Sequence, residues 1–179
     1  MPPTNIDEFA SQVFEEAKRF LEKYDDSPHS PAYLHAAISL AFSSFEAHVN
    51  AIAEEFLTRP ELSVWERGFL SEKRVDFDNG EFTVSDNLKM ERLEERLLFV
   101  CRRFSARPID RTSPMWSNLK SALKLRNQLT HPKEVIEITK PQVSAALEAI
   151  LEVLDYTYRS LYKQAYPTKH LGLQSMLDF

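Results

Sequence analysis

Apolar residues recur at intervals of three and four over most of the chain, a spacing that predicts amphipathic helices. Polar and proline-containing segments interrupt this pattern, and we expect the Asp25-Asp26-Ser27-Pro28 segment to close the first helix. Helices joined by such short connections pack antiparallel. The pattern predicts long helices over residues 6–24, 31–57, 86–104, 114–131 and 140–161, and a short helix over residues 62–69.

One segment departs from the helical spacing. Residues 74–77 and 81–84 alternate apolar and polar positions on either side of Asn79-Gly80, which is typical of a β-hairpin. An isolated hairpin is only marginally stable, so we expect it to lean on the helices or on a partner chain. The predicted fold class is therefore all-α: an up-down four/five-helix bundle with a small β-hairpin insertion near residues 74–84.

Composition adds bounds on domain number and location. The chain has 179 residues, 43% of them hydrophobic, which suits one domain over residues 1–166 followed by a loose tail, 167–179, that could dock on this chain or another. The start, Met1-Pro2-Pro3-Thr4, lacks the features of a signal peptide, and we find no membrane-length apolar run. The lone cysteine, Cys101, lies in an apolar run and is predicted to be buried. These features fit a cytoplasmic protein.

Charge is unevenly distributed along the chain. Residues 89–133 hold 11 Lys or Arg and 4 Asp or Glu, a local net charge of +7, although the whole chain carries −5 and the remainder therefore −12. A basic middle of this kind is compatible with a confined phosphate-binding surface. It is equally the pattern of a solvated helix face.

The sharpest candidate for chemistry is the segment from Arg126 to His131. Arg126 follows Leu119 by seven residues and Leu123 by three, so it borders the apolar stripe of its helix. His131 ends that helix, because Pro132 disfavours helical geometry in the residue before it. An arginine that grips a phosphate and a histidine that moves a proton suit phosphodiester chemistry. The alternative is an arginine paired with a carboxylate and a histidine that caps a helix.

The letters Arg126-Asn127-Gln128-Leu129-Thr130-His131 resemble the motif of the HEPN family: arginine, a polar residue, a short spacer and histidine. The motif falls late in the fourth long helix and one long helix follows it, as in that family. Residues 44–53, in the second predicted helix, also resemble the family's long early helix. The resemblance covers most of residues 6–166 and leaves out the hairpin and the tail.

This resemblance implies a metal-independent endoribonuclease that forms a homodimer, with two copies of the motif in one cleft. His131 would then be the general acid or base, Arg126 would steady the phosphate, and Asn127 would orient one of them. Residues expected to contact RNA are Lys120, Lys124, Lys133, Arg102 and Arg103.

Other polar residues are open to two interpretations. Glu46 and Asn50 lie one turn apart on the second helix, where they either face the motif and hold Arg126 or form plain surface. His48, closer to the apolar side, is expected to be a satisfied core or interface histidine. The histidines at 29, 35, 48, 131 and 170 form no HxxxH or HExxH pair, so we expect neither a zinc site nor any other cofactor. Trp65 and Trp116 are expected to fill the core.

The leading functional hypothesis is a ribonuclease that acts as a toxin or a defence effector. Its partners would be RNA, a second copy of the chain and an antitoxin of nucleotidyltransferase type, with no membrane or DNA partner expected. One alternative is a non-catalytic module that binds RNA, a nucleotide or a protein through the same cleft. Another is a structural protein in which Arg126 and His131 fix a dimer seam.

Overall fold

The computed structural model describes residues 5–26 and 30–179. Within them it contains six α-helices, one antiparallel hairpin and a short 3-10 turn, so the predicted helical bundle with a hairpin insertion is confirmed. The predicted turn at Ser27-Pro28 lies outside the described residues. The elements are α1 (Ile6–Asp26), α2 (Pro31–Leu57), α3 (Val64–Leu70), β1 (Lys73–Asp78), β2 (Glu81–Leu88), α4 (Leu93–Phe104), α5 (Pro114–Thr130), α6 (Lys140–Tyr162) and the 3-10 turn Lys169–Leu171.

The core lies between the long helices. α1 packs along α2, and α6 contacts α1, α2, α4 and α5, so α6 closes the bundle. Phe14, Phe45, Leu119 and Ile150, which come from four different helices, are all fully buried. Each such side chain contributes about 1.5–3 kcal/mol through its removal from water. The apolar residues whose spacing predicted the helices are therefore the residues that face this core.

Helix α5 has well-defined ends. The Ser113 hydroxyl accepts a hydrogen bond from the Trp116 backbone N–H (3.2 Å), and Pro114 occupies the first turn, where its missing N–H costs nothing. At the other end His131 has φ −128° and ψ 63°, outside the helical region. The predicted stop before Pro132 is confirmed.

The hairpin is longer than predicted, and it changes the start of the next helix. β2 continues to Leu88, which pairs with Lys73 at the base of β1. The predicted helix start at Asp86 is therefore wrong: residues 86–88 extend the strand, and α4 begins at Leu93. The hairpin rests on α3, because a Cβ at Gly68 would lie 2.6 Å from Val75 Cγ2. It thus leans on a helix of its own chain.

The two tryptophans have different surroundings. Trp116 is 4% exposed and fills the core as predicted. Trp65 is 56% exposed, so the prediction that it fills the core is wrong. Its ring instead lies 5.1 Å from that of Phe82, which faces Phe77 across the hairpin. The three exposed aromatic rings therefore form a contact between α3 and the hairpin.

The C-terminal segment lies along α1 instead of forming the loose tail that we expected. The backbone N–H groups of Ser175 and Met176 donate to the carboxylates of Glu22 (2.8 Å) and Glu15 (2.9 Å). Glu15 also pairs with Lys18 at 2.6 Å, and the Lys18 side chain is fully buried. The segment therefore covers a buried ion pair. We expected it to dock on this chain or on another one, and it contacts its own chain.

His48 is a satisfied core histidine, as expected. Its Nδ1 lies 3.2 Å from Asp7 Oδ1 and its Nε2 lies 3.0 Å from the Tyr166 hydroxyl. Tyr158 donates to the same Asp7 oxygen at 2.6 Å. The hydrogen bond with His48 lowers the pKa of Asp7, burial opposes that shift and Tyr158 adds to it. Burial raises the pKa of Tyr166 to about 12.

Cys101 is buried, as predicted. In the described parts of the chain, no helix combines the length and the apolar character needed to span a membrane.

Candidate functional site

Helices α2 and α5 and the segment that leads into α4 frame an open groove of about 910 Å³. Arg126 and His131 both line it. Binding sites for small ligands typically occupy about 300–1,000 Å³, so the groove is large enough to hold part of a nucleic acid. The two residues singled out by the sequence therefore line the same groove.

One face of α5 forms the basic wall of the groove. Lys120, Lys124, Asn127 and His131 follow one another at intervals of four, three and four residues, which places them on one side of a helix. Lys133, just beyond the helix, also lines the groove. The predicted RNA contacts at positions 120, 124 and 133 are thus brought together with the motif.

Arg126 is half-buried at the inner end of this wall. It lines the groove and also a smaller pocket of about 150 Å³ beside Phe42 and Leu129. Its Nη1 donates to Asn127 Oδ1 at 3.1 Å. No carboxylate in residues 5–26 and 30–179 forms an ion pair with it at 4.0 Å or less, so the guanidinium is available to an anionic ligand.

His131 caps the C-terminal end of α5. Its backbone N–H donates to the Asn127 carbonyl at 2.9 Å, which fixes the position of the residue. The side chain is exposed, and its imidazole has no hydrogen-bond partner within the described residues. Asn127 therefore contacts both motif residues, Arg126 through its side chain and His131 through its backbone.

Four carboxylates also line the groove. Glu91 precedes α4 and Glu94 lies in its first turn, whereas Glu46 lies on α2 and Glu134 lies in the loop after α5. Glu94 accepts a hydrogen bond from Lys120 at 2.9 Å. Burial acts to raise the pKa of Glu94, but the bond from Lys120 outweighs it and leaves that pKa below its ordinary value. The groove is thus of mixed charge, with four carboxylates among the basic residues that line it.

Three residues proposed from the sequence lie elsewhere. Arg102 and Arg103 are on the last turn of α4 and do not line the groove. Arg103 instead pairs with Glu66 at 3.0 Å. Asn50 does not contact Arg126: its side-chain oxygen accepts a hydrogen bond from Arg96 Nη1 at 2.6 Å. Of the Glu46–Asn50 pair, only Glu46 faces the motif.

Arg96 is an organising residue that the sequence reading missed. It is buried on α4, and its guanidinium also donates to Glu72 Oε2 (2.9 Å) and to the Leu70 carbonyl (2.8 Å). Glu72 has a positive φ of 53° and in turn accepts the backbone N–H groups of Lys89 and Glu91. These bonds hold residues 89–91 at the edge of the groove.

A signal for Arg96 was present in the sequence. Arg96 follows Leu93 by three residues and precedes Leu97 and Val100, so it falls on the apolar stripe of α4. A charged residue on such a stripe requires buried partners.

Within the described residues, no group of three or more His, Cys, Asp or Glu side chains is arranged to hold a metal ion. No protein-family model, curated protein or solved structure matches the chain. The resemblance to the HEPN family therefore stays a prediction, which rests on the motif and on its place in the bundle.

Proposed function

We propose that the protein is a metal-independent endoribonuclease of HEPN type. The observation that supports this most is the groove in which Arg126, His131 and three lysines of the basic wall lie together. Among residues 5–26 and 30–179, the Arg126 guanidinium has no carboxylate partner and the His131 imidazole has no hydrogen-bond partner, and both residues line the same groove. Both are suited to a ligand that carries negative charge and needs a proton moved.

The chemistry uses the nucleophile that RNA itself supplies. The 2′-oxygen attacks the adjacent phosphorus, the bond from phosphorus to the 5′-oxygen breaks, and a 2′,3′-cyclic phosphate and a 5′-hydroxyl result. Arg126 stabilises the charge that develops on the phosphate oxygens. His131 moves a proton, and Asn127 orients Arg126 through the 3.1 Å hydrogen bond. DNA lacks the 2′-hydroxyl and is not a substrate.

The proposed setting is a cytoplasmic toxin or defence effector that acts as a homodimer, with the two motifs in one cleft. Its regulator would be an antitoxin of nucleotidyltransferase type. A small nucleotidyltransferase gene beside the gene for this chain would support the toxin role in particular.

The test is cleavage of a labelled RNA oligonucleotide in EDTA, with the DNA of the same sequence as a second substrate. Wild-type protein should release fragments that end in a 2′,3′-cyclic phosphate from RNA only. His131→Ala should lower the rate by roughly 10²–10⁴-fold, the usual contribution of an acid–base group. His170→Ala is the matched control, because His170 is exposed in the C-terminal segment and does not line the groove. Folded wild-type protein that leaves RNA intact would refute the enzyme.

The carboxylates that line the groove favour a second candidate, a non-catalytic binding module. Four carboxylates line the groove, and one of them already neutralises Lys120. A surface of this kind also suits a protein segment or a nucleotide that carries both charges. Retained RNA binding without cleavage would support this module. If neither binding nor cleavage occurs and Arg126→Ala breaks a dimer, Arg126 belongs to a dimer seam.

A further inference from the structure

Cleavage by a 2′-oxygen requires two proton transfers, one from the nucleophile and one to the leaving group. The proposed function assigns His131 to one of them and leaves the other open. The groove contains a residue suited to it. We infer that Glu46 is the general base that takes the 2′-hydroxyl proton, while His131 gives a proton to the leaving 5′-oxygen; this inference rests on the proposed function.

Glu46 is rigidly placed at the groove. It lies in the middle of α2, between the fully buried Phe45 and the buried Ala47, so its backbone is fixed by the core. One turn earlier on the same helix, Phe42 lines both the groove and the small pocket that borders Arg126. The half-buried Glu46 side chain therefore lines the same groove as the arginine that would hold the phosphate.

The Glu46 carboxylate also lacks the contacts that occupy the two neighbouring carboxylates. Glu91 pairs with Lys89 at 2.8 Å and Glu94 pairs with Lys120 at 2.9 Å. Glu46 has no ion pair and no hydrogen bond of its side chain within residues 5–26 and 30–179. It lies near enough to Arg96 to raise that residue's pKa, against the stronger effect of burial, but it forms no hydrogen bond with Arg96. A half-buried, uncommitted carboxylate is free to accept a proton.

The sequence suggested that Glu46 holds Arg126, but in the structure Asn127 does so. Arg126 donates to Asn127, and no ion pair joins it to Glu46. The remaining titratable side chains at the groove do not match Glu46. They are Glu91, Glu94, Glu134, Arg92, Lys120, Lys124 and Lys133. Glu91 and Glu94 are paired with lysines, and Glu134 is exposed on a loop. Among the carboxylates of the groove, Glu46 is therefore the one that lies on a helix and has no ion pair within the described residues.

The proton balance of the step is complete. The 2′-hydroxyl proton passes to a Glu46 oxygen as the 2′-oxygen bonds to phosphorus. The electron pair of the breaking phosphorus–oxygen bond stays on the 5′-oxygen, which takes its proton from the His131 imidazolium. Cleavage therefore needs an ionised Glu46 and a protonated His131 together, and the rate passes through a maximum as pH rises.

The experiment compares wild type, Glu46→Gln, Glu46→Asp and Glu54→Gln on one RNA oligonucleotide in EDTA over a range of pH. Glu54 is the matched control, since it is exposed on the same helix two turns from Glu46 and does not line the groove. We expect Glu46→Gln to lower kcat by roughly 10²-fold or more, with little change in KM, and to abolish the fall in rate on the acid side of the profile. Glu46→Asp should keep that acid limb at a reduced rate, and Glu54→Gln should match wild type.

The outcomes separate the two proposals. If wild-type protein does not cleave, the proposed function fails and Glu46 has no proton to take. If wild type cleaves and Glu46→Gln stays within about threefold of it, the proposed function survives and the role of Glu46 is wrong. A slow Glu46→Gln variant that keeps the acid limb would also overturn the role, because the residue would then only position others.

A mixing experiment tests whether one chain supplies both groups. Glu46→Gln and His131→Ala chains, co-expressed with different tags and purified as mixed assemblies, should be as inactive as either variant alone. Restored cleavage would mean that Glu46 of one chain works with His131 of another, which would overturn their pairing within one groove.

Discussion

Replacement of Arg96 by methionine gives the most direct test of how the fold supports the groove. Methionine keeps the apolar stem of the side chain and removes the guanidinium. The change breaks the bonds to Asn50 (2.6 Å), Glu72 (2.9 Å) and Leu70 (2.8 Å). It also leaves Glu72 with no cation, although Glu72 still accepts the Glu91 N–H at 3.1 Å.

Two effects of opposite sign set the magnitude. Removing one partner of a buried ion pair usually costs about 3–5 kcal/mol, because the remaining charge loses its compensation. Arg96 and Glu72 are 4% and 14% exposed, so this range applies with little screening. The wild-type protein, however, already has the buried Arg96 Nε without a partner, and methionine removes that cost of about 1–3 kcal/mol. The middle of the first range less the middle of the second gives an expected net loss of about 2 kcal/mol in the free energy of unfolding.

Urea unfolding followed by circular dichroism measures this loss. Arg102→Met is the matched control, since Arg102 is exposed on the same helix, and its effect should stay within about 0.5 kcal/mol. A loss below about 1 kcal/mol for Arg96→Met would refute the reasoning, because it would mean that the bonds to Asn50, Glu72 and Leu70 do not hold the base of the hairpin to α4. A gain in stability would mean that burial of the guanidinium outweighs them.

Two further predictions concern α1. Lys18→Met should destabilise the protein by about 3–5 kcal/mol in urea unfolding, because it leaves the Glu15 carboxylate, which is 6% exposed, without its cation. Lys23→Met is the control, since Lys23 is partly exposed on the same helix. A loss for Lys18→Met no larger than that of the control would contradict this prediction. Asp7 has a lowered pKa, caused first by its hydrogen bond with His48, so its stabilising effect is present above the ordinary value of about 3.9 and is lost as pH falls through the lowered value. Asp7→Asn should therefore lower Tm at pH 7 and have a smaller effect near pH 3, and a difference that does not change with pH would exclude this linkage.

The helices could be predicted from the sequence because their signals are local. The bounds of α2 match the apolar spacing and the Pro31 start, and α5 ends where Pro132 requires. The hairpin turn was equally local, since Asn79 and Gly80 both adopt positive φ there. Residues 86–88 were assigned to the wrong element because their state depends on pairing with another strand, as Leu88 pairs with Lys73.

The candidate site divides in the same way. The motif residues were found because Arg126 and His131 belong to one helix, whose geometry fixes their relation. Residues on other elements were less certain, since Glu46 faces the groove whereas Asn50, one turn later, turns to Arg96. Only tertiary packing distinguishes these two, because both lie on the same side of the helix, away from its apolar stripe. The position of the C-terminal segment was not predictable either, because its backbone N–H groups bond to side chains of α1 and the spacing of apolar residues carries no signal for such bonds.

The contrast between Trp65 and Trp116 has an optical consequence. Trp65, on α3 beside the hairpin residue Phe82, is 56% exposed, whereas Trp116 in the core is 4% exposed, so a polar quencher such as iodide should reach the first and spare the second. Emission from a Trp116→Phe chain would report the contact between α3 and the hairpin, and emission from a Trp65→Phe chain would report the core of the bundle. The protein therefore contains two intrinsic fluorophores that can tell detachment of the hairpin from global unfolding without an added label.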